Sequence, residues 1–141
     1  MKTNSLLAAT AASIGIYFAL SALSTYFAEV YVGVPWALMD LETVRTFTGL
    51  SKTGKFVAIV FACYFAIGFS NRASISNWQH GIYAVCVSLP IVAVATYPDL
   101  AFFKLPSSIS FSFHGSRFIY FCIAAFVGLF FGFRFNRLKN I

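Results

Sequence analysis

The chain has 141 residues, of which 60% are hydrophobic, 19% aromatic and only 10% charged, and its formal net charge is +6. Because a soluble domain carries roughly 25% charged residues, this composition excludes an ordinary soluble fold and predicts an all-α membrane protein whose main solvent is lipid. The 10 basic residues are scattered between apolar runs and form no basic stripe, which argues against a nucleic-acid partner.

The first apolar run covers residues 5–28 and contains no charged residue. It is long enough to cross a hydrocarbon core of about 30 Å, so it predicts the first transmembrane helix. A cleaved secretory signal is the alternative, because Lys2 precedes the run and Ala22 and Ser24 are spaced like a cleavage site before Thr25. The run is longer than the apolar region of a typical signal, which favours the transmembrane helix.

Residues 29–55 are mixed in character and predict an outer loop. Within this loop, the stretch VPWALMDLETVRTFTG has Pro35 at a favourable first-turn position. It predicts an interfacial helix of about three turns lying on the membrane surface. Its candidate partner-binding residues are Trp36, Asp40 and Glu42.

The stretch TGLSKTGKF, residues 48–56, has Gly49, Gly54 and Lys55 at the spacing of a phosphate-cradling loop. The Ser or Thr hydroxyl that would hold magnesium is replaced by Phe56, and no buried strand precedes the stretch. We therefore expect no nucleotide and no other cofactor. Gly49 is interpreted as the end of a short helix, and Lys52 and Lys55 as charges at the water boundary of the next span.

Three further apolar runs, at residues 56–70, 82–97 and 118–133, are shorter than the first. Each falls below the usual length of a span, but basic and aromatic residues at their ends can reach the interface. Residues 98–117 form the other outer loop, in which Phe111 and Phe113 alternate with serines. The whole chain is thus predicted to be a single polytopic domain, a compact bundle of four transmembrane helices with an outer interfacial helix.

Small residues recur every four positions in each apolar run: Ala11, Gly15 and Ala19; Ala58, Ala62 and Ala66; Ala84 and Ser88; and Ala124, Gly128 and Gly132. In lipid, helices associate through close backbone approach at such ladders. The simplest interpretation is that the ladders pack the four helices against each other. A sharper hypothesis assigns Ala124, Gly128 and Gly132 to another chain, with Phe111 and Phe113 assisting, while the ladder around Ala62 stays internal.

Polar chemistry is scarce in this sequence. The only grouping that resembles a catalytic set places four residues near the outer ends of spans: Glu29, Asp99, His114 and Arg117. A solvated network that holds the helix ends is the favoured interpretation, and we expect neither catalysis nor a metal site. No carboxylate, histidine or lysine lies inside a predicted span, which argues against a proton or ion pathway.

The basic residues near the span ends give the predicted orientation. Three of them lie in the C-terminal stretch RFNRLKNI, directly after the last apolar run. Both termini are therefore predicted to be cytoplasmic, with a bacterial inner membrane as the default location.

Four spans with short loops and no soluble domain resemble the layout of small inner-membrane immunity and exclusion proteins, an analogy of fold that carries no residues across. The leading hypothesis is a non-enzymatic protein that binds another membrane protein, as an accessory subunit or a protective factor. A small oligomeric transporter or channel is the first alternative. An enzyme acting on a lipid-linked substrate at the outer surface is the second.

Overall fold

In a computed structural model, which describes residues 3–70, 77–97 and 115–139, four helices make up almost all of the described chain. The helices are α1 (Thr3–Val32), α2 (Leu41–Ser70), α3 (Asn77–Thr96) and α4 (Gly115–Lys139), and a 3-10 turn at Trp36–Leu38 separates the first two. The all-α prediction is confirmed for this part of the chain.

Three of these helices are long and apolar enough to cross a bilayer. The qualifying segments are Leu6–Val32 in α1, Leu41–Ile67 in α2 and Ser116–Phe135 in α4. The apolar part of α3, Gly81–Thr96, is shorter. These lengths and compositions are those of a membrane protein.

The second helix starts much earlier than its apolar run suggests. Residues 41–55 were predicted to belong to an outer loop, with a separate interfacial helix in the stretch 34–49. They form instead the first half of α2 and continue directly into its apolar half. Gly49 therefore lies inside a helix and does not end one. The polar threonines of this half suit a helix, because their hydroxyls donate to carbonyls one turn back, as Thr48 does to Val44 and Thr53 to Gly49.

Contacts between helices identify the pairs that pack together and, for one pair, their relative direction. Gly54 of α2 lies against Ser24 of α1, so closely that a Cβ at position 54 would overlap the serine side chain. The Ser13 hydroxyl of α1 donates to the Val87 carbonyl of α3 over 3.2 Å. Helices α2 and α4 are parallel, because Gly128 faces Val60 and Gly132 faces Tyr64 one turn further along both helices.

The core lies where the four helices meet. It contains the following buried residues: Ala9 and Tyr17 of α1; Ile59, Ala62, Cys63 and Ala66 of α2; Val87 and Ile91 of α3; and Phe121 and Ala124 of α4. Pro90 lies inside α3 and has no N–H to donate to the Cys86 carbonyl. Ser13 donates to the next carbonyl along, that of Val87, so α1 supplies a hydroxyl beside the proline.

Helix α2, with α1 packed along it, extends beyond the start of α4 at one end of the bundle. Phe56 of α2 contacts Tyr120 near the start of α4, with ring centroids 4.7 Å apart. Because these two helices are parallel, the start of α4 is level with a point about ten residues, or about 15 Å, after the start of α2. We call the extension the projecting hairpin, residues 24–51.

Candidate protein-binding surface

One exposed face of α1 is built mainly from small side chains. Its members recur at intervals of three or four residues and share one side of the helix: Ala8, Ala11, Gly15, Ala19, Ala22, Tyr26 and Glu29. All seven are exposed, and a Cβ added at Gly15 would meet no atom within 4 Å. We call this surface the α1 face. The part from Ala8 to Ala22 is flat and apolar. Tyr26 and Glu29 extend the face along α1 into the projecting hairpin.

The exposed faces of the other three helices have a different composition. Their most exposed apolar positions hold large side chains: Val57, Phe61 and Phe65 on α2; Val85 and Leu89 on α3; and Ile119, Ile123, Phe126 and Phe130 on α4. Large side chains occur on α1 as well, where Phe18 and Leu23 flank the α1 face. Among the described helices, only α1 therefore has a ladder of small residues on its outer surface.

The α1 face leads into a groove at the end of the projecting hairpin. This groove has a volume of about 620 Å³ and is lined by residues from α1, the connection and α2: Glu29, Val30, Gly33, Val34, Pro35, Met39 and Phe47. Gly33 has a φ of 67°, the left-handed conformation that lets the chain leave α1 at this point, and its N–H donates to the Glu29 carbonyl. The groove is apolar except for the exposed Glu29.

Two of the three partner-binding candidates around the hairpin define the start of α2. Asp40 is the N-cap: its carboxylate accepts the Thr43 N–H over 2.8 Å, and its carbonyl accepts the Val44 N–H. Hydrogen bonds from the Thr43 side chain and backbone lower the pKa of the Asp40 carboxyl. Glu42 is exposed in the first turn of α2, and Trp36 begins the 3-10 turn.

The ladder of α4, predicted to remain free for another chain, is occupied by α2 within this chain. Ala124 is fully buried, and a Cβ at Gly128 would approach the Val60 carbonyl oxygen to 2.5 Å. A Cβ at Gly132 would lie 3.2 Å from the Cβ of Ile67. The hypothesis that α4 offers its glycines to a partner therefore needs correction. The α2 ladder is buried as expected, but α4 packs on another side of α2, at Val60, Cys63 and Ile67. Ala58, Ala62 and Ala66 continue the row of Gly54, which lies against Ser24 of α1.

The proposed outer polar cluster is only partly covered by the structure. Asp99 and His114, together with the candidate binding residues Phe111 and Phe113, lie outside the described residues. Glu29 borders the hairpin groove, whereas Arg117 lies in the first turn of α4, close to Lys55. In the described parts of the chain, no group of three or more His, Cys, Asp or Glu side chains is placed to hold a metal ion.

The sequence shows the α1 ladder, but it does not show whether this ladder faces the bundle or the outer surface. Ala11, Gly15 and Ala19 were recognised as a ladder, and their spacing is the same as that of the ladders on α2 and α4. Because every side of α1 is apolar, no contrast between polar and apolar residues marks the side that faces the bundle. Tyr26 and Glu29 lie on the same side of α1 as the ladder, nearer the end of the helix. These two polar residues are the sequence signal that this side is exposed.

Comparisons of the chain with protein-family models, with curated proteins and with solved structures find no match.

Proposed function

We propose that this protein acts by binding a second integral membrane protein through the α1 face, as an accessory subunit or as an immunity- or exclusion-type protective factor, and not by catalysis. The observation that carries the proposal is the exposed ladder of Ala11, Gly15 and Ala19. Small residues are typical of helix–helix interfaces in membranes, because they allow two backbones to approach closely. On the other described helices the equivalent ladders are wholly or partly buried inside the bundle.

The chemistry of the α1 face favours one kind of occupant, an apolar transmembrane helix with a basic residue just beyond the membrane. The part of the face from Ala8 to Ala22 is uncharged, whereas Glu29 adds a carboxylate on the projecting hairpin. A parallel pair of identical chains would place two Glu29 side chains near one another, and this repulsion disfavours self-association. A Lys or Arg of a different protein would instead complement the carboxylate.

The proposal includes the arrangement in the membrane. We place α3 as a fourth span despite its shorter apolar part, since it packs within the bundle through Tyr83, Val87 and Ile91. Both termini are assigned to the cytoplasm and the projecting hairpin to the outer side of a bacterial inner membrane. Arg134 and the basic residues that follow it support this orientation.

Gly15→Leu tests the proposed surface, with Gly81→Leu as a matched control. Both glycines are exposed helix positions at which an added Cβ meets no atom within 4 Å, so both variants have room to fold. Only Gly15 belongs to the α1 face. After purification in mild detergent, we expect Gly15→Leu to retain at least about tenfold less partner than the wild type, a loss of about 1.4 kcal/mol. Gly81→Leu should retain the wild-type amount.

A photo-crosslinking residue at Ala19 identifies what lies against the α1 face, and the same residue at Ile123 reports an exposed position on α4. The expected product is one membrane protein crosslinked from position 19 and not from position 123. Unchanged retention by Gly15→Leu contradicts the proposal. Purification of the chain alone as a stable oligomer would favour the transporter or channel hypothesis instead.

A further inference from the structure

Three basic side chains lie near one another where α4 begins beside the middle of α2. Lys52 and Lys55 lie one turn apart on α2, and Arg117 lies in the first turn of α4. The Lys52 ammonium is 4.6 Å from the ring centroid of Tyr120, also on α4, which holds it beside that helix. Arg117 is close enough to Lys55 for their like charges to repel one another. We call these three residues the basic cluster.

Within the parts of the chain that the structure describes, nothing offsets the positive charge of the basic cluster. Lys55 and Arg117 are only half-exposed, so water screens their repulsion incompletely. A positive side chain in the first turn of α4 also opposes the positive end of the helix dipole. The described acidic residues, Glu29, Asp40 and Glu42, all lie on the projecting hairpin, and none of them forms an ion pair with a member of the cluster. An anion bound from outside the chain would remove this conflict.

The position of the basic cluster indicates which anion is within reach. The cluster lies at the level where α4 begins, below the projecting hairpin. At this boundary between hydrocarbon and water, lipid phosphate groups are the most concentrated anions. Lysine and arginine bind phosphate oxygens through charge-assisted hydrogen bonds. We propose that Lys52, Lys55 and Arg117 together bind a phosphate group at this boundary.

This site differs from the nucleotide loop that the stretch TGLSKTGKF resembles. Residues 48–56 are helical throughout, so their backbone N–H groups point along α2 and form no cradle for a phosphate. The proposed recognition uses side chains from two helices. A phospholipid headgroup and a free phosphate anion share the required chemistry, so the test must distinguish them.

The test measures the thermal unfolding midpoint of the full chain in a nonionic detergent while a probe is added. The probes are short-chain phosphatidic acid, inorganic phosphate, ATP, and short-chain diacylglycerol as the lipid without phosphate. A ligand that binds only the folded protein raises the midpoint, and at a given concentration the rise grows with the logarithm of its affinity. We expect phosphatidic acid to raise the midpoint of the wild type and diacylglycerol to leave it unchanged.

The variant Lys52→Gln, Lys55→Gln, Arg117→Gln should bind the phosphate probe roughly a hundredfold more weakly, at about fivefold for each lost cation. Arg45→Gln, which removes an exposed cation elsewhere on α2, should bind like the wild type. The charge-retaining variant Lys52→Arg, Lys55→Arg should also keep its response. If the triple variant folds poorly, Lys52→Gln alone should still show the fivefold loss.

Two results support the proposal and identify the source of the phosphate. A response to phosphatidic acid alone assigns the cluster to a lipid headgroup, and an equal response to inorganic phosphate assigns it to a free anion. A response confined to ATP contradicts the boundary assignment. The proposal is overturned if no phosphate probe shifts the wild type, or if the triple variant and Arg45→Gln respond equally.

Discussion

Three glycines of this chain occupy very different surroundings. Gly54 lies against Ser24 of α1, Gly128 lies against Val60 of α2, and Gly15 faces open space. At the first two positions the missing Cβ allows two helices to approach more closely than any other residue would permit. At the third, the missing side chain leaves a flat outer surface.

Replacing Gly128 with alanine should therefore destabilise the fold, whereas the same change at Gly15 should not. A methyl group at position 128 would meet the Val60 carbonyl oxygen at 2.5 Å and the Cys63 Cβ at 2.9 Å. We expect Gly128→Ala to lower the free energy of unfolding by about 1–3 kcal/mol. Gly15→Ala should raise it by about 0.5–1 kcal/mol, because alanine is the better helix former. Reversible unfolding in detergent measures both. Equal effects at the two positions would contradict the placement of the α4 ladder.

At the scale of single elements, the start of α2 depends on the Asp40 cap. Asp40→Ala removes the acceptor of the Thr43 N–H, so the first turn should fray and its amide protons should exchange faster. The turns around Ala62, buried in the bundle, should be unaffected. Glu42→Ala is the matched control, because Glu42 is an exposed carboxylate of the same turn. Protection unchanged by Asp40→Ala would rule out the cap.

The same cap should depend on pH with a defined sign. Because its hydrogen bonds lower the pKa of Asp40 in the folded protein, the stabilisation is fully present above the ordinary carboxyl value of about 3.9. It is lost as the pH falls through the lowered value. The exchange rates of the wild type and Asp40→Ala should thus differ at neutral pH and converge in acid. A difference that persists in strong acid would argue against the carboxylate as the acceptor.

The helices themselves were largely predictable, but their starts were not. The apolar runs located α1 and the inner half of α2 because length and hydropathy follow directly from the bilayer. Residues 41–55 were separated from α2 because hydropathy falls before Phe56, although neither a proline nor a cap interrupts the helix there. Asp40, followed by Glu42 and Thr43, is the N-terminal signal of α2, whereas the sequence-based prediction starts a helix at Pro35.

The candidate surface was less predictable than the helices. Ladders on α1, α2 and α4 have the same spacing, and spacing alone does not tell which helix lies opposite. In water, the polar side of a helix identifies the buried side, but in lipid both sides are apolar. The packing of α2 against α4 and the exposure of the α1 face therefore cannot be predicted from single helices. Both follow from how the four helices pack together.

At the scale of the whole molecule, the proposed orientation places the projecting hairpin and the C-terminus on opposite sides of the membrane. A reporter fused after Ile141 should be active in the cytoplasm, because the basic residues after α4 are retained there. A cysteine introduced at the exposed Ala37 should react with an impermeant maleimide in intact cells. The wild type, whose cysteines lie within the helices, is the control. Labelling only after lysis, or a reporter active outside, would reverse the orientation.

The seam between α2 and α4 also has a consequence for how the protein is made. The residues that meet there, Val60 and Gly128, are far apart in the chain, and α4 is synthesised after the other described helices. Until α4 has been made, Val60, Cys63 and Ile67 of α2 lack the contacts that Gly128 and Gly132 provide in the finished bundle. A chain interrupted before α4 therefore leaves this side of α2 open to lipid and to helices of other proteins.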